Sequence, residues 1–327
     1  MTRGKKIATG CGVVVAVVLV ALAAAAYTWG PATTGALTGT TQYLFKPSPQ
    51  KYAKDVARVA ERLGIYAESE EFSAVKDDAL RQVRGVESYE DTHASLREVI
   101  KAAGGKHSNI FPAGEDSAED PDQRDPSVVP RGDVAFATVP DVSRHDDVQA
   151  YADTLTEGIL AHAACGAVVD LRGNVGGDMG PMVAGVSPLL PDGPALSFVS
   201  RFGTTDVTVD GNSVRGGGTP VTTQGGKRDV PVALLVDADT ASSGEATMLA
   251  FRGLERSRSF GEPTAGYASA NMVIDLYDGA HMTITTAKDK ARTGEEFAED
   301  PIQPDVRTTD AEAEAIAWLK EQGCSPE

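Results

Sequence analysis

Twice in this chain a short apolar run ends in a turn made of the smallest side chains. Val232-Ala-Leu-Leu-Val236 leads through Asp-Ala-Asp into Thr240-Ala-Ser-Ser-Gly-Glu245, and Ala167-Val-Val-Asp-Leu171 leads into Arg-Gly-Asn-Val-Gly-Gly177. Runs this short and this apolar read as buried strands, each followed by a helical stretch, Glu245–Leu254 or Met179–Leu190. Val134–Val139, helical Val148–Ala163, Met272–Leu276 and His281–Thr285 extend the alternation, which begins after Arg131. Strands alternating with helices specify an α/β layer. Residues 198–228 mix β-branched residues with Gly and Thr and read as an inserted hairpin or cap. They contain no Gly-Lys-Ser/Thr, so they form no phosphate loop.

The two turns carry chemistry as well as shape. A serine where a buried strand meets a helix is exposed, and the first N–H groups of the helix point past it, as an oxyanion hole requires. Ser242-x-x-Glu245 also satisfies a capping box, which needs no catalysis. Gly176 and Gly177 offer backbone N–H groups with no side chain in the way, although a plain strand-to-helix turn looks the same. A base is the third requirement. Of five histidines, His107 stands in a Gly-Gly-Lys-His-Ser turn after a helix, where an imidazole titrating near neutrality suits general base work. His93 lies within a helical stretch, His145 and His162 near charged or helical surface, and His281 at the start of a strand.

The amino terminus bears on location. Arg3, Lys5 and Lys6 precede an uncharged run of 23 residues, Ile7–Trp29. About 20 suffice to cross a bilayer as a helix, and cations on the amino-terminal side leave the rest of the chain outside the cytoplasm. Ala23–Ala26 would serve as a signal-peptide cleavage site. The length of the run and the interfacial aromatics Tyr27 and Trp29 favour an uncleaved anchor. Cys11 precedes the main apolar run and does not read as a lipid-attachment site.

The expected organisation is an anchor over 1–30, a Thr-, Gly- and Pro-rich tether over 31–50, a helical domain over 51–112, an acidic loop over 113–130 and an α/β core over 131–327. Apolar spacing places helices at Tyr52–Leu63, Glu70–Val83 and Tyr89–Ala103. With 41% hydrophobic residues the chain has a core to bury, and its net charge of −17 repels phosphate, which excludes nucleic acid as a partner. Three cysteines exclude a disulfide scaffold, and no Cys/His cluster or EF-hand spacing implies a metal. No cofactor is expected. Cys165 and Cys324 read equally well as a disulfide or as two buried thiols.

Taken in order, Tyr89–Ser108 with its Gly-Gly-Lys-His-Ser ending, Val168–Gly177, Thr240–Glu245, Gly261-Glu-Pro-Thr-Ala-Gly266 and Pro301-Ile-Gln-Pro-Asp305 resemble the C-terminal processing, or tail-specific, serine peptidases. That group includes the tricorn core protease. The resemblance implies a spiralled α/β core like that of crotonases and the Clp protease, here with an N-terminal helical bundle and a transmembrane helix. It also implies peptide-bond hydrolysis through an acyl-enzyme. Ser242 would be the nucleophile, with Gly176, Gly177 and the Ser243 amide as oxyanion donors.

Many members use a lysine base, but that slot holds Tyr267, so the Ser–His branch, with His107 as base, fits better. No room exists between His107 and Arg131 for the PDZ domain that such peptidases commonly carry. The plan is most similar to the nisin-resistance subgroup, membrane-anchored peptidases that clip lanthionine antibiotics. Glu245 would either orient the site or cap the helix. Asp170 and Arg172 would fix the glycine turn, and Asn174, Asn271 and Met272 would grip substrate backbone. An acidic surface suits cationic peptides. Two other readings remain: a catalytically inactive protein that sequesters a peptide, and a crotonase-like acyl-CoA enzyme, which an export signal disfavours.

Overall fold

The computed structural model describes residues 3–114 and 124–326, with side chains from residue 17 onward. Four helices come first: α1 (Arg3–Thr38), α2 (Pro49–Leu63), α3 (Glu70–Gln82) and α4 (Glu90–Gly104). Then follow β1 (Asn109–Phe111), β2 (Ser127–Arg131), β3 (Val134–Thr138), α5 (Val148–His162), β4 (Gly166–Asp170) and α6 (Met179–Gly185). Four strands come next, β5 (Gly193–Ser200), β6 (Gly203–Asp210), β7 (Ser213–Arg215) and β8 (Val221–Thr222). The chain continues through β9 (Val232–Val236), α7 (Ser243–Phe251), β10 (Ser257–Gly261) and β11 (Ser269–Asp275). It ends with β12 (His281–Ala291), β13 (Glu296–Phe297), β14 (Val306–Arg307) and α8 (Ala311–Glu321). The described residues fall into two compact units, 3–114 with Asn271–Thr285, and 124–270 with 286–326.

In the first unit the helices start where their caps dictate. The Ser48 side chain accepts from Lys51 N–H at 3.2 Å with Pro49 in the first turn, and Ser69 accepts from Phe72 N–H at 3.1 Å. Gly105, at φ 81°, ends α4 in a conformation that disfavours any other residue. Tyr52, Val56, Val59, Phe72, Leu96 and Ile100 are fully or almost fully buried and meet Ile110, Ile274, Met282 and Ile284 from the strands. These last contacts explain why Asn271–Thr285, expected within the core, belongs to the helical unit. β1 pairs antiparallel with the start of β12, Asn109 opposite Thr283 and Phe111 opposite His281. His93 is a core histidine. Its Nε2 lies 2.7 Å from Asp278 Oδ2, and the buried Tyr52 hydroxyl donates to Asp278 Oδ1 at 3.0 Å.

The tether expected over 31–50 is not one. α1 runs through Pro31 to Thr38, and Arg58 reaches the Thr28 carbonyl at 2.6 Å. Beyond it Thr41 N–H donates to the Asp275 carbonyl at 2.9 Å and Asp275 N–H to that of Gly39 at 2.8 Å. Backbone pairing holds what composition alone described as a linker.

The second unit is layered. Its main sheet runs β14-β10-β9-β4-β3-β2, parallel throughout except for the antiparallel edge strand β2. Both faces are covered, so the inner strands are apolar on both sides. Ala135, Val169, Leu234 and Val236 pack with α5, α6 and α7, while Phe136, Val168, Leu235 and Phe260 pack with α8. Each fully buried Leu or Val contributes about 1.5–3 kcal/mol, so this sheet is the stiff part of the unit. Of the acidic loop expected over 113–130, residues 115–123 lie outside the described residues, and its end, from Ser127, is strand β2. Pro130 is tolerated there because β2 is an edge. The hairpin expected over 198–228 is a larger antiparallel meander, β5 to β8, beginning at Gly193. Cys165, before β4, and Cys324, after α8, form a disulfide with their Cα atoms 5.5 Å apart.

Candidate active site

β4 and β9 are parallel neighbours, with Asp170 opposite Leu235, so the turns that follow them leave the sheet side by side. The carboxyl ends of parallel strands are where such folds place ligands. Asp237 joins the turns: its carboxylate accepts from Gly173 N–H at 3.0 Å and from Thr240 N–H at 2.9 Å. The buried Thr240 hydroxyl donates to the Leu171 carbonyl at 3.0 Å, and Ala241 N–H to the Asn174 carbonyl at 2.8 Å. Asp170 and Arg172 fix this region, Arg172 donating to both Asp170 oxygens at 2.8 and 2.6 Å and reaching Glu312 at 3.3 Å.

At the head of α7 stands Ser242, with φ 52° and ψ −115°, the one non-glycine residue of positive φ among the described residues. Such a backbone persists only where the surroundings hold it. Gly176 lies directly against it: a Cβ on Gly176 would fall 2.7 Å from Ser242 Cβ, and the glycine's own φ is 113°. Only glycine fits here. The neighbouring Ser243 hydroxyl donates to the Gly177 carbonyl at 2.7 Å, which ties it to the backbone.

The two glycines differ in what their amides do. Gly176 N–H donates to Asn174 Oδ1 at 2.9 Å. Asn174 is fully buried and its amide nitrogen donates to the Val139 carbonyl at 2.8 Å, so the side chain is committed on both ends. The substrate grip expected of Asn174 and the donor role expected of Gly176 are both displaced by this internal pairing. Gly177 N–H and Ser243 N–H have no acceptor among the described residues. Ser243 opens the helix, where an N–H has no intrahelical partner.

Glu245 is completely buried. It accepts from Ser242 N–H at 2.9 Å, Gly266 N–H at 2.9 Å, Tyr267 N–H at 2.7 Å and the Thr264 hydroxyl. Four donors satisfy both oxygens, so of the two expected roles the structure gives it the cap. Burial raises its carboxyl pKa, and these hydrogen bonds pull the other way. Tyr267, in the slot where a lysine would stand, has its amide fixed by the same carboxylate.

One residue escaped the sequence reading. Asp289 on β12 is wholly buried, and its Oδ1 has no hydrogen-bond partner among the described residues. Burial, and next the Glu245 charge, push its carboxyl well above the usual range. The signal was present: Ala287, Asp289 and Ala291 alternate on the inward face of the strand.

In the helical unit, His107 is half-buried in the turn that Gly105 opens. Burial, and next the Lys106 charge, lower its pKa to about 4, so the ring is neutral at pH 7. Ser108 anchors the turn from below. Its buried Oγ accepts from Thr285 N–H at 2.9 Å and donates to Thr285 Oγ1 at 3.1 Å, and the Thr285 hydroxyl donates to Asn271 Oδ1 at 2.7 Å. Asn271 is therefore engaged in holding the His107 turn, and Met272 packs against the helical core. The bond from Thr285 uses only the Asn271 side-chain oxygen, and both Asn271 and Met272 are half-buried.

The model of peptidase family S41 matches residues 133–308. A nisin-resistance protein from Lactococcus lactis subsp. lactis is 36% identical over 290 residues, 86% of this chain and 90% of that protein. A chloroplastic C-terminal processing peptidase from Tetradesmus obliquus is 28% identical over 161 residues, 49% of this chain but 31% of its own length. Among solved structures, a lipoprotein from Streptococcus agalactiae superposes with a TM-score of 0.73 at 27% identity, over 86% of this chain and 99% of that one. The photosystem II D1 C-terminal processing protease, at 14% identity and a TM-score of 0.59, shares the fold over 86% of this chain and 98% of its own. The chain belongs to peptidase family S41 and, with it, to the peptidases.

Proposed function

We propose that this peptidase works by serine chemistry, with Ser242 as nucleophile and His107 as general base. His107 takes the Ser242 hydroxyl proton as Oγ bonds to the scissile carbonyl carbon, then gives it to the leaving amine as the C–N bond breaks. Water hydrolyses the resulting acyl-serine by the same proton path. The observation that carries the reading is the strained backbone of Ser242 beside two unpaired amides, Gly177 N–H and Ser243 N–H, suited to receive the oxyanion. Gly176 and Asn174 support that pair by holding the turn, and Glu245 holds Ser242 and the 264–267 segment. A neutral His107 at pH 7 is in the form a base needs.

The setting is read as extracytoplasmic on a membrane anchor. Among the described residues, α1 is the one helix long and apolar enough to span a bilayer, its Val-, Ala- and Leu-only run ending at Ala26, and a disulfide suits an oxidising compartment. The net charge of −17 favours cationic peptides, and similarity to a nisin-resistance protein makes lantibiotic-like peptides the first class to try.

Ser242→Ala, Ser243→Ala and His107→Ala proteins, incubated with a cationic lantibiotic and followed by mass spectrometry, test the mechanism. Loss of the nucleophile or the base lowers kcat by about 10⁴-fold or more, while Ser243→Ala retains most activity because its contribution is its backbone. Normal cleavage by the Ser242 or His107 variant refutes the pair. Binding of the peptide by wild-type protein without any change in its mass would make this a sequestering protein instead.

A further inference from the structure

We infer that the turn Leu44-Phe45-Lys46 is a second contact with the bilayer, seated in the headgroup layer beside α1; this rests on the reading of α1 as a membrane span. Leu44 is 62% exposed and Phe45 72%. The turn that presents them is well held. Thr41 and Pro47 are buried on either side, the Tyr89 hydroxyl donates to the Pro47 carbonyl at 2.7 Å, and the Tyr43 ring packs edge-on to Tyr277 at 5.3 Å. Two adjacent large apolar side chains on a fixed turn are a surface feature rather than a frayed end.

Contacts between α1 and α2 fix the height of the turn. Lys51 Nζ lies 4.4 Å from the centre of the Tyr27 ring and 5.6 Å from that of Tyr43. Farther along, Arg58 reaches the Thr28 carbonyl and Arg62 the Thr33 hydroxyl at 3.0 Å. The order along α2 follows the order along α1, so the helices run the same way and the start of α2 lies level with Tyr27. Tyr27 and Trp29, 46% and 57% exposed, follow directly on the Val-, Ala- and Leu-only run that ends at Ala26, where aromatic side chains mark a membrane–water boundary. The turn before α2 is therefore at headgroup depth.

Charge selects the same occupant. In a chain of net charge −17, no acidic residue occurs from Pro31 to Gln50. The next acid in sequence, Asp55, is buried and paired with Lys51 at 2.6 Å and Arg58 at 3.2 Å, while across the fold the exposed Asp275 accepts from the Thr40 hydroxyl at 3.5 Å. Lys46 is exposed beside Phe45. An apolar pair with an adjacent cation and no acid in its own stretch of chain suits an anionic lipid surface.

The test uses the full chain with Cys11→Ser and Phe45→Cys, labelled at residue 45 with a nitrobenzoxadiazole dye, in phosphatidylcholine–phosphatidylglycerol vesicles containing shallow spin-labelled lipid. The comparison is the same chain labelled at Glu70→Cys, an exposed site just beyond the far end of α2, whose 15 residues span about 22 Å. Quenching at position 45 should exceed that at position 70 several-fold. Equally weak quenching at both sites, in protein that resists carbonate extraction, overturns the contact and leaves the anchor standing; it is also the result expected if another protein covers the turn. Protein that carbonate strips from the vesicles overturns the anchor and the contact together.

Discussion

Ser242 and His107 show how far single residues can depart from their ordinary states when neighbours hold them. The left-handed backbone of Ser242 costs on the order of 1–3 kcal/mol, offset by the Glu245 bond to its N–H and the packing of Gly176 against its Cβ. A Ser–Ser pair in a sequence gives no sign of which hydroxyl is free to react. The Ser243 hydroxyl donates to the Gly177 carbonyl, which supports Ser242 as the proposed nucleophile. For His107 the departure is electrostatic, and it makes a prediction about activity. The imidazole is lowered from the ordinary 6.5 to about 4 by burial and then by Lys106, so it stays neutral well into the acid range. A base of this kind keeps kcat/KM level from pH 7 down to about 5, with half-loss near pH 4. A profile that falls by half near pH 6.5 would place His107 in an ordinary aqueous environment and undo this account. Folding responds with the same sign. Below pH 6.5 the unfolded chain takes up a proton that the fold resists, so this residue erodes stability as pH falls from 6.5 towards 4.

Elements were legible where their signals are local. The spacing of Val56, Val59 and Ala60 marks α2, whose start at Pro49 lies three residues before the Tyr52 that the spacing gives. The inner strands announced themselves by being apolar on both faces. What could not be read was pairing across distance: which strand a half-buried segment joins, or which amide a buried Asn174 satisfies. That is why Asn174 and Gly176 were expected to face substrate and instead face each other. Asp289 on β12 is the clearest case of information present but unused, an acid placed on the inward face of an alternating strand.

Asp289 also yields a stability prediction for that strand. Its folded pKa is raised, so both states hold the proton below about pH 3.8, the unfolded chain loses it first as pH rises, and the fold is penalised increasingly through the raised pKa. Asp289→Asn keeps the shape and cannot ionise. Its urea midpoint should exceed the wild-type midpoint at pH 8 by more than it does at pH 5. A difference independent of pH would mean that Asp289 is ionised in the fold at both.

For the molecule as a whole, net charge and the disulfide are global properties that composition reaches only partly. The charge was countable from the start. The disulfide was not, because bridging depends on the Cα separation of residues 159 apart in sequence, and only the fold brings Cys165 and Cys324 to 5.5 Å. Closing so long a loop contributes on the order of 5 kcal/mol in the chain-entropy picture, tying the end of α8 to the start of β4. The division into two units was only roughly legible, because Asn271–Thr285 crosses back to complete the helical core.

The charge has a consequence for capture that no single residue carries. With a net charge of −17, the field around the protein reaches about 10 Å at 0.1 M salt and about 3 Å at 1 M. A cationic peptide approaching at low salt is drawn in by that field, while the bond-breaking step involves buried and backbone groups that salt screens little. Raising salt from 0.1 to 1 M should therefore increase KM for a cationic substrate several-fold and leave kcat nearly unchanged, with a neutral analogue of the same length showing neither effect. Equal salt dependence for the two peptides would mean that the acidic surface serves solubility, and that selection of substrate lies in short-range contacts alone.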